Sequence, residues 1–127
     1  MMKKSCDRGR DANLQKCLGR PIEVVIDRPL GSVHPRYPGM VYPVNYGYVP
    51  GVFAGDGAAQ DVYVLGVDMP LSAFTGVVIA VVRRGNDVED KWVAAPVGAV
   101  FSAEEIAAAV GFQERFFDSV VEMVHSR

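Results

Sequence analysis

Proline and glycine punctuate this chain so closely that only short, bent strands fit between them. Residues 28–39 read RPLGSVHPRYPG, with three prolines and two glycines, and residues 42–51 read YPVNYGYVPG. Proline removes a ladder donor and stops a strand, while glycine permits tight turns. With 13 glycines and 8 prolines in 127 residues, half of them hydrophobic, the chain suits one turn-rich, mainly β domain with a core of its own.

The strand candidates follow from β-branched runs. Ile22–Asp27 (IEVVID) ends at Arg28-Pro29. Asp61–Val67 (DVYVLGV), Val77–Arg84 (VVIAVVRR) and Lys91–Pro96 (KWVAAP) follow, the last two flanking the turn signal Gly85-Asn86-Asp87. Ser102-Ala-Glu-Glu105 then has the capping-box form. Beyond it Ile106, Ala109, Val110, Gln113, Phe116, Phe117, Val120, Val121 and Val124 keep helical spacing, with a kink possible at Gly111. The expectation is an α+β, mainly β fold. Residues 22–96 would form a small antiparallel OB-like β-barrel and residues 103–124 a C-terminal helix packed on it. Residues 1–20 would be a basic, irregular N-terminal arm and residues 21–127 a single domain.

That arm carries Lys3, Lys4, Arg8, Arg10, Lys16 and Arg20 against Asp7 and Asp11, in a chain of net charge −2, so the body is acidic. An acidic body is a poor partner for nucleic-acid phosphates and a reasonable one for divalent cations. The N-terminal charges precede no apolar run, and no apolar stretch approaches the ~20 residues that span a bilayer. The expectation is a soluble, cytoplasmic protein with no membrane partner. Cys6 and Cys17 read as free thiols, a disulfide between them being the alternative.

Three tyrosines, an asparagine and two prolines in Tyr42–Gly51 admit two readings. They could be an aromatic cluster packing the barrel, or a wall of hydroxyl donors around an anion. Asp27, Asp56, Asp61, Asp87, Glu89 and Asp90 sit at strand and loop boundaries, where carboxylates either bind a hard cation or simply make turns. His34 and His125 read as surface residues. Ser32 and Ser102 have no base nearby in sequence, and Trp92 and the C-terminal phenylalanines read as core.

YPVNYGYVPG, followed by Gly55-Asp56-Gly57 and then Asp61-Val62, resembles the core signature of family I soluble inorganic pyrophosphatases. VVIDRP and DKWVAAP resemble flanking active-site strands, and the similarity runs from about Ile22 to Phe117. The resemblance implies a Mg²⁺-dependent hydrolase of pyrophosphate or a related phosphate compound, and a homo-oligomer. It implies metal ligands at Asp56, Asp61, Asp87 and Asp90, with Glu89 able to replace Asp90. It implies catalytic roles for Asp27, Tyr46, Asp61 and Lys91, and substrate contacts from Arg36, Tyr42, Tyr46 and Lys91.

Three departures bear on activity. The family's acidic motif has a central aspartate that helps generate the attacking hydroxide, and here that position is Ala58. A hairpin that supplies an arginine is missing between Tyr37 and Val41, and Val120-Val121 stand where the family has a Tyr-Lys pair. Losing an aspartate that deprotonates water costs about 10²–10⁴-fold. The expectation is a weakened hydrolase or one of altered substrate. The alternative is a non-catalytic relative that binds metal or a phosphate ligand, or that acts through assembly. A barrel binding single-stranded nucleic acid fits the architecture but not the acidic body.

Overall fold

The computed structural model describes residues 13–55, 57–85 and 90–124. Six strands form one sheet: β1 (Ile22–Arg28), β2 (Asn45–Phe53), β3 (Ala59–Val64), β4 (Ala73–Arg84), β5 (Lys91–Ala95) and β6 (Ser119–Met123). A helix, Ala103–Glu114, lies between β5 and β6. The strand order β1-β2-β3-β5-β4-β6, with a further β1–β4 pairing, closes β1 through β5 into a barrel. Closure removes the open edges that a sheet of short strands would otherwise expose. The expected barrel is therefore present, with one difference: β3 and β5 pair in parallel, all other neighbours being antiparallel.

Alternation explains the inside of the barrel. On β1, Ile22, Val24 and Ile26 are buried while Glu23, Val25 and Asp27 point outward. The interior fills with these residues, Val49, Val62, Val64, Val78, Val81, Trp92 and Ala94. A second apolar layer lies between the sheet and the helix, where Tyr63, Leu65, Ala80, Val82 and Val93 meet Ile106 and Val110. Strand β5 is sandwiched between the two layers, which is why all five of its residues, Lys91 included, are buried. Gly47 has a steric reason: a Cβ there would run into the Val25 carbonyl oxygen of the paired β1.

The helix begins as its sequence signal demands. The Glu105 amide donates to Ser102 Oγ (3.0 Å), and Glu105 Oε1 accepts from the Ser102 amide (2.8 Å). It runs unbroken through Gly111 and stops at Glu114, so the expectation of helix to residue 124 is corrected. Residues 119–123 are strand β6, paired along Ala80–Arg84 of β4. Strand β4 is twelve residues long, and β1 pairs only with Ala73–Gly76, which leaves its far half needing a partner. Val120 and Val121 are β-branched, and their spacing fits a strand as well as a helix.

At the other end, residues 13–17 are helical and Leu14 is buried in the barrel-interior cluster. The rest of the expected irregular arm, residues 1–12, lies outside the described residues. Cys17 is a free thiol packed against that cluster, and Cys6 lies outside the described residues.

Candidate active site

Strand register gathers charged side chains on the outer face of the barrel, on the side that carries the helix. Arg28 at the end of β1 pairs with Tyr46 near the start of β2. Tyr48 of β2 pairs with Asp61 of β3. Asp61 and Lys91 each precede the Val62↔Trp92 pair of the parallel β3–β5 ladder, so they stand side by side. Against this face opens a cavity of about 820 Å³. Asp27, Arg28, His34, Tyr42, Tyr46, Asp61, Arg84 and Lys91 line it from the barrel side, and Gln113, Arg115, Phe116 and Phe117 from the end of the helix.

Lys91 Nζ lies 2.6 Å from Asp61 Oδ2 and 5.9 Å from the centroid of the Tyr46 ring. Burial, and then the Asp61 charge, push the Tyr46 phenol well above its ordinary value, so it is a hydrogen-bond donor at neutral pH. Tyr42 is fully buried; its hydroxyl accepts from Arg28 Nη1 (2.9 Å) and donates to Gln113 Oε1 (3.3 Å). Partial enclosure raises the Asp27 carboxyl and the Asp61 charge adds to that, against the opposing pull of Arg28.

Behind the cavity wall sits a buried network. Arg84 donates from Nη2 to Glu114 Oε2 (2.7 Å) and from Nε to Glu114 Oε1 (3.1 Å). Tyr63 (2.6 Å) and Ser119 (2.6 Å) donate to the same carboxylate, and Gln113 Nε2 donates to the Tyr63 hydroxyl (2.7 Å). The Arg84 guanidinium also lies 3.7 Å from the centroid of the Phe117 ring. Asn45 fixes the loops that follow β1 and β3: its Oδ1 accepts from the Leu30 (2.9 Å) and Leu71 (3.0 Å) amides, and its Nδ2 donates to the Met69 carbonyl (3.0 Å). The tyrosine-rich segment packs as the first of its sequence readings expects: Tyr46 and Tyr42 lie in the layer under the helix, and both rings also border the cavity.

The expected site residues fare unequally. Asp27, Tyr42, Tyr46, Asp61 and Lys91 share the cavity. Arg36 is exposed and does not line it; its amide donates to His34 Nδ1 (3.0 Å). Asp90 is buried away from the cavity, where its carboxylate accepts from Arg83 Nη1 (2.9 Å) and the Arg84 amide (3.2 Å) and so ties down the end of the β4–β5 connection. Ala58 is exposed and outside the lining. Asp56, Asp87 and Glu89 lie outside the described residues, as does His125.

Two surface-and-core expectations are corrected. His34 lines the cavity between Tyr37 (ring centroids 4.9 Å) and Tyr42 (6.1 Å). Burial, then the charges of Arg28 and Arg36, lower its pKa, which fits an Nδ1 that accepts a hydrogen bond. Phe116 and Phe117 are not core: they are 62% and 44% exposed beside the cavity. Sequence reasoning missed Arg28, Arg84, Gln113 and Arg115. Arg28 adjoins Asp27 in the motif VVIDRP and could have been found there; the other three carry no local signal.

Among the described residues no group of three or more His, Cys, Asp or Glu side chains is arranged to hold a metal. Two carboxylates, Asp27 and Asp61, do line one cavity. That number suits Mg²⁺, which is commonly held by one or two carboxylates together with waters and substrate phosphates.

A closed five-strand barrel carrying a helix is the fold of the inorganic pyrophosphatases on which the chain superposes. The chain superposes on the crystal structure of inorganic pyrophosphatase from Ehrlichia chaffeensis with a TM-score of 0.66, at 19% identity over 84% of this chain and 88% of that one. The enzyme from Coxiella burnetii gives 0.56, at 21% identity over 84% and 85%. In sequence it is 32% identical over 92 residues to inorganic pyrophosphatases of Xanthomonas campestris pv. campestris and Xanthomonas axonopodis pv. citri, covering 65% of this chain and 50% of each of those. No family model matches. In fold and in sequence the chain is similar to the inorganic pyrophosphatases. It spans about half the length of the curated relatives it matches.

Proposed function

We propose that the chain is a Mg²⁺-dependent hydrolase of phosphoanhydride bonds, slower than a full family member or altered in substrate. The observation that carries this reading is the convergence of Asp27, Tyr42, Tyr46, Asp61 and Lys91 on one cavity. A structural role alone does not require two carboxylates, a lysine and two phenols in one cavity.

Asp61 would hold the cation, with Asp27 and, outside the described residues, Asp56 and Asp87 as further candidates. Bound there, Mg²⁺ would polarise the diphosphate and acidify a water. Lys91 and Arg28 bring positive charge to the phosphate oxygens, and Tyr46 and Tyr42 bring hydroxyls. Lys91 is engaged by Asp61, so an arriving diphosphate competes with that carboxylate for the ammonium. Asp27 faces the same cavity and is a candidate partner for the attacking water or for the cation. Arg84 is held by Glu114 and shapes the wall.

The missing carboxylate at position 58 and the missing Tyr-Lys pair support the slower rate. The same departures favour the second reading, a non-catalytic relative that binds metal or phosphate or acts through assembly. Val120 is 64% exposed on β6, which suits a further proposal, a homo-oligomer. Among the described residues no helix is long and apolar enough to cross a membrane; a cytoplasmic site of action is part of the same proposal.

The test is phosphate release from pyrophosphate, with and without Mg²⁺, by the wild type, Asp61→Ala and Ala58→Asp. Slow, Mg²⁺-dependent release that Asp61→Ala abolishes supports the enzyme. A gain in Ala58→Asp traces the slowness to the missing carboxylate; no gain traces it to a loop that holds position 58 away from the cavity. No release and no Mg²⁺ binding in any of the three would establish the non-catalytic reading instead.

A further inference from the structure

Inorganic diphosphate is small, rigid and wholly polar, and it makes use of only part of this cavity. At about 820 Å³ the space falls in the range of roughly 300–1,000 Å³ that accommodates organic ligands with rings. Its lining is divided. Asp27, Arg28, Asp61 and Lys91 come from the strand ends, while Tyr37, Met40, Phe116 and Phe117 supply a mainly apolar remainder.

The two most exposed of these rings are Tyr37, at 58%, and Phe116, at 62%. Phe117 already carries the Arg84 guanidinium at 3.7 Å from its centroid, whereas Arg115 is 5.0 Å from the Phe116 centroid. Exposed aromatic rings that share a cavity with a cationic cluster match a ligand that is anionic at one end and flat and apolar at the other. Met40 beside them is an unbranched, adaptable contact for such a ring.

We infer that this cavity binds a ring-bearing organic diphosphate, of which a nucleoside diphosphate is the simplest kind, in preference to a diphosphate without a ring. The diphosphate lies among Arg28, Lys91 and the tyrosine hydroxyls, and the ring lies against Phe116 and Tyr37. The inference rests on the phosphate-binding reading of the site and adds a substrate class to it. A second copy of this chain is the competing occupant of the Phe116 face, and the charge beside it decides against that choice: a protein surface covering Phe116 would also bury Arg115, which makes no ion pair among the described residues.

The test is calorimetric titration, at constant Mg²⁺, with adenosine diphosphate, methyl diphosphate and inorganic diphosphate. The proteins are the wild type, Phe116→Ala and Tyr37→Ala, with sedimentation run alongside. Both side chains are exposed, so neither truncation opens the core. The wild type should bind the adenosine compound about tenfold more tightly than methyl diphosphate, which is within what one ring stack contributes. Each variant should bring that ratio toward one and leave methyl diphosphate affinity unchanged. Equal affinity for the two in the wild type, or a ratio that survives both substitutions, overturns the inference while leaving the phosphate site intact. Failure of all three compounds to bind overturns the phosphate reading along with it. A Phe116→Ala protein that loses an oligomer but keeps the ratio assigns the ring to a second copy and also overturns the inference.

Discussion

Two ion pairs stand near each other in this molecule, with almost the same length and opposite duties. Arg84–Glu114 measures 2.7 Å, and its side chains are 4% and 5% exposed. Lys91–Asp61 measures 2.6 Å, and its side chains are 10% and 39% exposed. The Glu114 carboxylate accepts from Arg84, Tyr63 and Ser119 and is walled in between helix and sheet. The Asp61 carboxylate opens to a cavity where solvent or a ligand can replace its partner. Distance alone does not separate a structural pair from a working one. The separation comes from how many donors saturate the acid and whether anything else can reach it.

The largest effect that this contrast predicts is on stability at the closed pair. Glu114→Ala removes the carboxylate that accepts from the buried Arg84, Tyr63 and Ser119, and breaking such a pair from one side costs about 3–5 kcal/mol. Urea unfolding should show a markedly lower midpoint with an unchanged slope. A loss below about 1 kcal/mol would mean that water reaches Arg84 and that the two pairs do not differ in kind.

The open pair should show the reverse pattern. Lys91→Met removes a cation from the cavity but leaves Asp61 partly in water, so stability should change by no more than about 1 kcal/mol. Phosphate release should fall on the order of 100-fold, the scale of losing one preorganised charge-stabilising group. If the variant instead unfolds as easily as Glu114→Ala, the Lys91 pair is a structural one too.

Tyr63→Phe probes how much of the closed pair depends on its neighbours. The substitution removes the 2.6 Å bond to Glu114 and leaves Gln113 without an acceptor it now has. A hydrogen bond to a buried charge contributes about 1.5–3 kcal/mol, so a loss near 2 is expected from the same unfolding measurement. A neutral result would show that Arg84 and Ser119 alone saturate the acid.

The two pairs also differ in how legible they are in sequence. Asp61 and Lys91 lie in strand motifs whose residue types are unusual enough to be noticed, and the parallel β3–β5 ladder then sets them side by side. Glu114 and Arg84 are thirty positions apart, one in a helix read only for its apolar spacing and one at the end of a valine-rich strand. Nothing local announces that they meet. The capping box at Ser102 was readable because capping is a contact within four residues. Strand β6 was not, since Val120 and Val121 satisfy both periods and only the unpaired half of β4 decides between them. Asp90 shows the converse. Its type and place suit a metal ligand, but its carboxylate points back to Arg83 and the Arg84 amide, an orientation no spacing rule supplies.

The smallest predicted effect is the dependence of the closed pair on acid. Burial by itself would raise the Glu114 carboxyl, but the bonds from Arg84, Ser119 and Tyr63 outweigh it and hold the group below the ordinary value of 4.5. The unfolded chain therefore binds a proton at this group before the folded one does. The stability Glu114 contributes is fully present above about pH 4.5 and is lost as pH falls through the lower folded value. Other acids titrate in the same window, so the useful quantity is a difference. Unfolding free energies of the wild type and of Glu114→Gln, measured at pH 7 and again near the bottom of the stable range, give two gaps. The gap should narrow on acidification, because the wild type loses a charge that the variant never had. A gap that widens on acidification would show that Glu114 keeps its proton in the folded protein at neutral pH. The Arg84 contact would then be a bond to a neutral acid, and the contrast with the Lys91 pair would rest on burial alone.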